Sequence, residues 1–286
     1  MKPQPNHPGS RVGTGFFYGL FHTVQARSAA VRRGLNRVFY NYLGRLDRSG
    51  DVRLMNYGYV SFDSDEPALE LEDSDEADRN NLQLYHAVAG ATNLNGKAVL
   101  EVGSGRGGGA SFMMRYLKPR SVVGVDYARE SVEFCRREYS AVNDLTFVQG
   151  DAEDLPIDDS SVDAVVNVES SHCYGDMDDF LAGVVRVLKP GGYFLWADHR
   201  AKVDSETVIQ QMTNAGLEIE EREMITPNIV ASLRQLGERN AALVSRGVPA
   251  PLRRIFSSFS GAEGTVIYEQ LEAGELVYQR VAARKP

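Results

Sequence analysis

The stretch ESSHCYGDM, residues 169–177, sets His172 and Cys173 directly after an apolar run, VDAVVNV, and a second run, FLWA, is followed by Asp198 and His199. A neutral imidazole takes up a proton near neutral pH, and a carboxylate beside it orients the ring and stabilises its charged form. On adjacent parallel strands, His172 and Asp198 emerge at the same edge and form such a pair. The plainer alternatives are His172 as a turn residue, His199 as a structural residue between the charges of Asp198 and Arg200, and Cys173 as a small packed side chain. Asn167 and Glu169 end the first run, adding an amide and a carboxyl group at that edge.

A second group of residues points to a ligand. After the apolar run AVLEV comes EVGSGRGGG, whose Gly103, Gly105 and Gly108 match G-x-G-x-x-G. Glycines there let a strand turn sharply into a helix and let a ligand approach the backbone. The pattern alone is shared by several nucleotide binders. Asp126 closes the next apolar run about twenty residues on, where a carboxylate accepts hydrogen bonds from both hydroxyls of an adenosine ribose. NAD and S-adenosylmethionine both carry that ribose.

The elements that must position these groups are legible as alternating strands and helices. Strands are expected at AVLEV (98–102), SVVGVD (121–126), LTFVQGD, VDAVVNV and YFLWAD, with helices over Ala77–Ala91, Gly109–Leu117, Glu130–Tyr139 and Asp178–Leu188 between them. DSETVIQQMTNAG reads as a further helix, LEIEEREMI as an outer strand, and ELVYQRVAAR as the last strand. This alternation predicts an α/β fold, a doubly wound and mainly parallel sheet. Pro227–Phe259 reads as two helices broken at Gly247, Pro249 and Pro251, a lid of about 227–262 inserted before the last strand. Between Gly15 and Leu43, apolar residues at helical spacing with arginines among them describe an amphipathic arm. The arm either packs on its own domain or lies on a membrane surface.

Composition narrows the classes. With 286 residues and 43% hydrophobic content the chain buries a full core. A net charge of -8 argues against nucleic acid as a partner. The N-terminal segment is basic, however, and Ser61–Asp78 is densely acidic. Cys135 and Cys173 are the only cysteines, with no CxxC and no His/Cys spacing suited to zinc, so no metal site is expected. No stretch approaches the length of a membrane span, and MKPQPNHPGS lacks the apolar core of a signal peptide. A cytoplasmic setting is expected, with membrane association through the arm as the variant; a homodimer is compatible with the sequence.

Taken together, VLEVGSGRGGG, VVGVDYARESVEFCRRE, FVQGDAEDLPIDDSSVDAVVNVESSHCY and FLAGVVRVLKPGGYFLWAD resemble the class I S-adenosylmethionine-dependent methyltransferases over about Ala98–Asp198. The resemblance implies a seven-stranded Rossmann-like fold and S-adenosylmethionine as cofactor. It implies that Glu101 sits near the methionine end, that Gly103, Ser104 and Gly105 pass beside the ligand, that Asp126 with Tyr127 holds the ribose, and that Asp151 and Ala152 meet the adenine edge. Asn167 and Glu169 would meet the ammonium. Arg106 departs from the usual loop and leaves its local contacts open.

MNYGYVSFD, LYHAVA, GRGGGASF, VESSHCY, LKPGGYF and LEAGELVY further resemble actinobacterial lipid O-methyltransferases, the phthiotriol dimycocerosate and fatty-acid enzymes. This implies a hydrophobic acceptor, and Tyr57 in a segment that folds over the cofactor. The expected organisation is an arm and covering segment over 1–76 and a methyltransferase domain over 77–286. An alcohol acceptor needs His172 as general base, oriented by Asp198, whereas a fatty-acid carboxylate needs none. A sugar hydroxyl, or a silent adenosyl-ligand-binding protein, are the remaining readings.

Overall fold

AVLEV buries all five of its residues and forms β1 (Ala98–Val102) at the centre of the sheet. The computed structural model describes residues 52–65, 67–247 and 261–286. The remaining elements are α1 (Arg79–Ala89), α2 (Gly108–Phe112), β2 (Ser121–Asp126), α3 (Arg129–Glu138), β3 (Leu145–Gln149), β4 (Val162–Val168), α4 (Met177–Val187) and β5 (Leu188–Ala201). They are followed by α5 (Ser205–Asn214), β6 (Glu218–Met224), α6 (Thr226–Gly247), α7 (Val266–Glu272) and β7 (Leu276–Arg284).

The seven strands lie in the order β3-β2-β1-β4-β5-β7-β6, and only β7 runs against its neighbours. This is the doubly wound, Rossmann-like sheet of a class I methyltransferase expected from the sequence. From β1 the chain steps outward through β2 and β3, then returns to the other side of β1 as β4. The loops after β1 and β4 therefore leave a crevice at the point where the strand order reverses, the place where ligands bind in such sheets.

Hydrophobic side chains cover both faces of the sheet. One layer gathers Leu84, Val88, Phe112, Val122, Val166 and Leu195; the other gathers Leu100, Val165, Phe180, Leu188, Phe194 and Trp196. Full exclusion of such side chains from water contributes about 1.5–3 kcal/mol each before entropy is counted.

Several boundaries differ from the sequence reading. The helix over Gly109–Leu117 starts at Gly108 and widens into a π-helical turn over Met113–Leu117, ending at Lys118 in the left-handed region. The strand at YFLWAD extends over Leu188–Ala201 and takes in the KPGG segment. Helix α7 had no counterpart in the sequence reading, because only seven residues carry it and its start depends on the Thr265 side chain, which accepts from the Tyr268 N–H at 3.4 Å. The first lid helix is present as α6, and its Ile229, Val230 and Leu233 pack in the core with Tyr57, Ile267 and Tyr268. The amphipathic arm lies wholly, and the second expected lid helix largely, outside the described residues.

Candidate active site

The crevice beyond β1 and β4 opens into a cavity lined by Gly103, Ser104, Gly105, Asp126, Tyr127, Asp151, Ala152, Glu169, Ser170, Cys173 and Tyr174. Its outer wall is a strap of chain, Arg53–Asn56, laid across the glycine loop. The loop is shaped by backbone conformation. Gly103 has φ +74°, and a Cβ there would lie 2.4 Å from the Ser170 hydroxyl, so the β1 and β4 loops touch only because this residue is glycine. Beside it the Gly105 N–H donates to Asp126 Oδ2 at 2.7 Å, and the Ala128 N–H donates to Asp126 Oδ1 at 2.8 Å. Burial pushes the Asp126 carboxyl up to about 6, against the pull of those two N–H groups.

Three expected cofactor residues stand behind the wall rather than in it. Glu101 is 1% exposed, and its Oε1 accepts from the Tyr85 hydroxyl at 2.7 Å. Tyr85 is the group that faces the cavity. Burial pushes Glu101 up to about 8, and its Oε2 has no hydrogen-bond partner among the described residues. Asn167 is fully buried and donates to the Val102 carbonyl, Ser170 Oγ and Tyr174 hydroxyl, which braces the two loops. Tyr57 is buried, and its N–H donates to Glu169 Oε2 at 2.8 Å, which clips the strap to the end of β4. Burial raises Glu169 to about 8, and its backbone is held at φ +52°.

Sequence reasoning passed over Tyr85 and left the contacts of Arg106 open. Tyr85 reaches the cavity because position 109 is glycine: a Cβ there would sit 2.0 Å from the Tyr85 ring, so the last glycine of GRGGG was the available signal. Arg106 stacks its guanidinium 3.7 Å from the Phe134 ring centroid, and its Nε donates to the Val52 carbonyl at 3.2 Å, which ties the glycine loop to the start of the strap.

Beside the cavity, His172 and Asp198 come together as the strand arrangement predicted. Pairing of Val168 with Ala197 sets the loop after β4 against β5. Asp198 is fully buried, and its Oδ1 lies 2.8 Å from His172 Nδ1. Its Oδ2 accepts from the Ser171 hydroxyl at 2.7 Å and the His172 N–H at 2.8 Å, with the Arg200 guanidinium at 3.1 Å. Burial alone would lower the His172 pKa, but Cys173 and the Asp198 carboxylate outweigh it and hold the ring well above its ordinary value. Burial would likewise raise Asp198, yet His172 and Arg200 hold it well below the usual carboxylate range. His199, read as structural from sequence, lies against His172 with ring centroids 4.3 Å apart and the ring planes tilted by 39°.

A mainly parallel sheet with a glycine loop after β1, an acidic residue closing β2 and a cavity at the β1/β4 reversal defines a nucleoside-type ligand site of the class I methyltransferase kind. Residues 100–196 match the family described as a methyltransferase domain. Over 257 residues the chain is 38% identical to a fatty-acid O-methyltransferase of Mycolicibacterium smegmatis, covering 90% of this chain and 92% of that one. It is 38% identical over 261 residues to a phthiotriol/phenolphthiotriol dimycocerosates methyltransferase of Mycobacterium tuberculosis, covering 90% and 95%. A geranyl diphosphate C-methyltransferase of Streptomyces coelicolor, solved with Mg2+, geranyl diphosphate and S-adenosyl-L-homocysteine, shares the fold at TM-score 0.63 and 17% identity, covering 89% of this chain and 98% of that one. The chain belongs to the class I S-adenosylmethionine-dependent methyltransferases, in company with these mycobacterial relatives.

The residues present fit that cofactor. Ser104 lines the cavity, and its buried Oγ has no hydrogen-bond partner among the described residues. The cavity brings Asp126, Asp151 and Glu153 toward one ligand, together with Glu169, whose ionised form a bound cation would favour. Such an acidic wall attracts a sulfonium and an ammonium and would repel a pyrophosphate.

Proposed function

We propose that the protein is an S-adenosylmethionine-dependent O-methyltransferase for a hydroxyl of a hydrophobic, lipid- or polyketide-like acceptor, with His172 as general base. The observation that carries this reading is the Asp198 to His172 contact: the carboxylate engages Nδ1 at 2.8 Å, one residue from Cys173 in the cavity wall. Bound S-adenosylmethionine supplies an activated methyl group on a good leaving group. The chain's own work is to align the acceptor oxygen, exclude water and, from the neutral form of the His172 ring, remove the acceptor's proton; because the Asp198 pairing favours the charged ring, this step gains rate as pH rises.

In this reading Asp126, with Tyr127, receives the ribose hydroxyls, and Asp151 and Ala152 meet the base. Gly103, Ser104 and Gly105 flank the ligand, and Glu169 receives its ammonium. Glu101, Asn167 and Tyr57 act through Tyr85, the loop brace and the strap. Residues 1–76 serve as arm and cover, and 77–286 as the transferase domain. Among the described residues no helix is long and apolar enough to cross a membrane; an acceptor carried at a membrane surface would be met through the arm.

A second reading, methyl-ester formation on a fatty-acid carboxylate, draws on the fatty-acid O-methyltransferase relative. Incubation with labelled S-adenosylmethionine and a panel of hydroxylated lipids, free fatty acids and sugars, followed by mass analysis, separates the two. Replacing His172→Ala lowers transfer to an alcohol by about two to four orders of magnitude and leaves a carboxylate acceptor much less affected. Undiminished transfer to an alcohol removes His172 as the base.

A further inference from the structure

The sequence offers no zinc spacing, yet the fold brings donors on β5 against one on the turn after β4. His172 Nδ1 lies 2.8 Å and His199 Nδ1 lies 3.4 Å from the same oxygen, Asp198 Oδ1. One donor atom from each of the three residues falls within 4.8 Å of the others. A tetrahedral Zn2+ with bonds of about 2.0–2.1 Å needs donors about 3.3 Å apart, and the two measured edges straddle that length. Two imidazoles and a carboxylate suit a borderline ion and leave its fourth position open.

The surrounding groups favour one orientation of the carboxylate. Its far oxygen, Oδ2, is held by Ser171 Oγ, the His172 N–H and Arg200, the kind of outer partners that fix a ligating carboxylate. Arg200 opposes a cation, but it faces Oδ2 rather than the oxygen shared by the two rings. The Glu169 carboxyl, which interacts electrostatically with both His172 and Asp198, is the next acid along the cavity side.

We infer that His172, Asp198 and His199 form a site for a first-row divalent transition-metal ion of the Zn2+ type, and that its occupancy stops proton transfer at His172. The second half rests on the proposed role of His172 as base. With the metal on Nδ1, the neutral ring carries its proton on Nε2, and neither nitrogen can accept another.

The test uses untagged full-length protein stripped of metal with a chelator. Calorimetric titration with Zn2+ gives one saturable site in the wild type. Binding is weakened at least about tenfold in His199→Ala and unchanged in Cys173→Ser. Co2+ added to the wild type gives tetrahedral d–d bands without a thiolate charge-transfer band, a readout that needs no variant to fold. Absence of saturable Zn2+ binding, equal binding by a folded His199→Ala, loss in Cys173→Ser, or a thiolate band each overturns the site. Methylation of an alcohol falls at least about tenfold at saturating Zn2+ and returns on chelation. Binding with undiminished methylation overturns the inhibitory half. Metal-free His172→Ala reports on the base separately from the ion.

Discussion

Asp198 grips His172 at two points: Oδ1 at the ring Nδ1 and Oδ2 at the backbone N–H, both at 2.8 Å. The backbone contact fixes where the 3-10 turn Ser171–Cys173 sits, and the ring contact fixes which nitrogen is left to face outward. Asp198→Asn keeps the shape but loses the charge and one acceptor. Methyl transfer to an alcohol is expected to fall by about two to four orders of magnitude, with cofactor affinity little changed. Steady-state kinetics beside calorimetry of cofactor binding checks this, and a loss confined to cofactor affinity would contradict it.

Asp126 already accepts two backbone N–H bonds, so its remaining lone pairs are the ones offered to a ribose. Asp126→Asn removes the charge and turns one acceptor into a donor. Affinity for S-adenosylmethionine and S-adenosylhomocysteine should fall together, by about 1.5–3 kcal/mol, because the ribose is common to both. A loss restricted to the charged ligand would point to the sulfonium instead.

Gly109→Ala drives a methyl group to within 2.0 Å of the Tyr85 ring. Both residues are buried against the core, so relief requires the ring or helix α2 to shift, a cost of about 1–3 kcal/mol. The melting temperature should drop, and Gly109→Ala in a Tyr85→Ala background should cost far less than in the wild type. Additive effects of the two changes would refute the clash.

Glu101 gives a pH signature in the cofactor-free protein. Its folded pKa of about 8 lies above the ordinary value of 4.5, so the folded state holds the proton longer than the unfolded chain does. The stability this provides is complete below about 4.5 and is lost as pH rises toward and through about 8. Glu101→Gln cannot ionise. The melting temperature of the wild type minus that of the variant should therefore decline between about pH 5 and pH 9. A flat difference over that range would be the contrary result.

Strands β1, β2 and β4 follow their expected limits because each is a short, nearly continuous apolar run bounded by polar residues or glycine. Asp126 and the His172 to Asp198 pair were equally legible, since strand ends alone bring them to one edge. The rest depends on side-chain direction and on contacts distant in sequence. Glu101 points into the core rather than the cavity, so spacing identified its strand but not the Tyr85 that stands in front of it. His199 looked like a bystander between two charges, and its ring meets His172 only after β4 and β5 pair. Helix α7 was missed because seven residues give too few turns for a periodic signal.

The strap is fastened at both ends of the chain's span. Tyr57 donates its N–H to Glu169, while its carbonyl accepts from the Ser232 hydroxyl at 2.8 Å, 175 positions away, and Asn228 bonds Val60 on the same stretch of α6. During synthesis, Glu101, the glycine loop and Asp126 leave the ribosome long before α6 exists to hold that cover. Until α6 is made, a nascent chain can hold that cover only through its earlier ties, Arg106 to Val52 and Tyr57 to Glu169. The order of manufacture thus leaves the Ser232 and Asn228 anchors as the last fastening of the cover to be made.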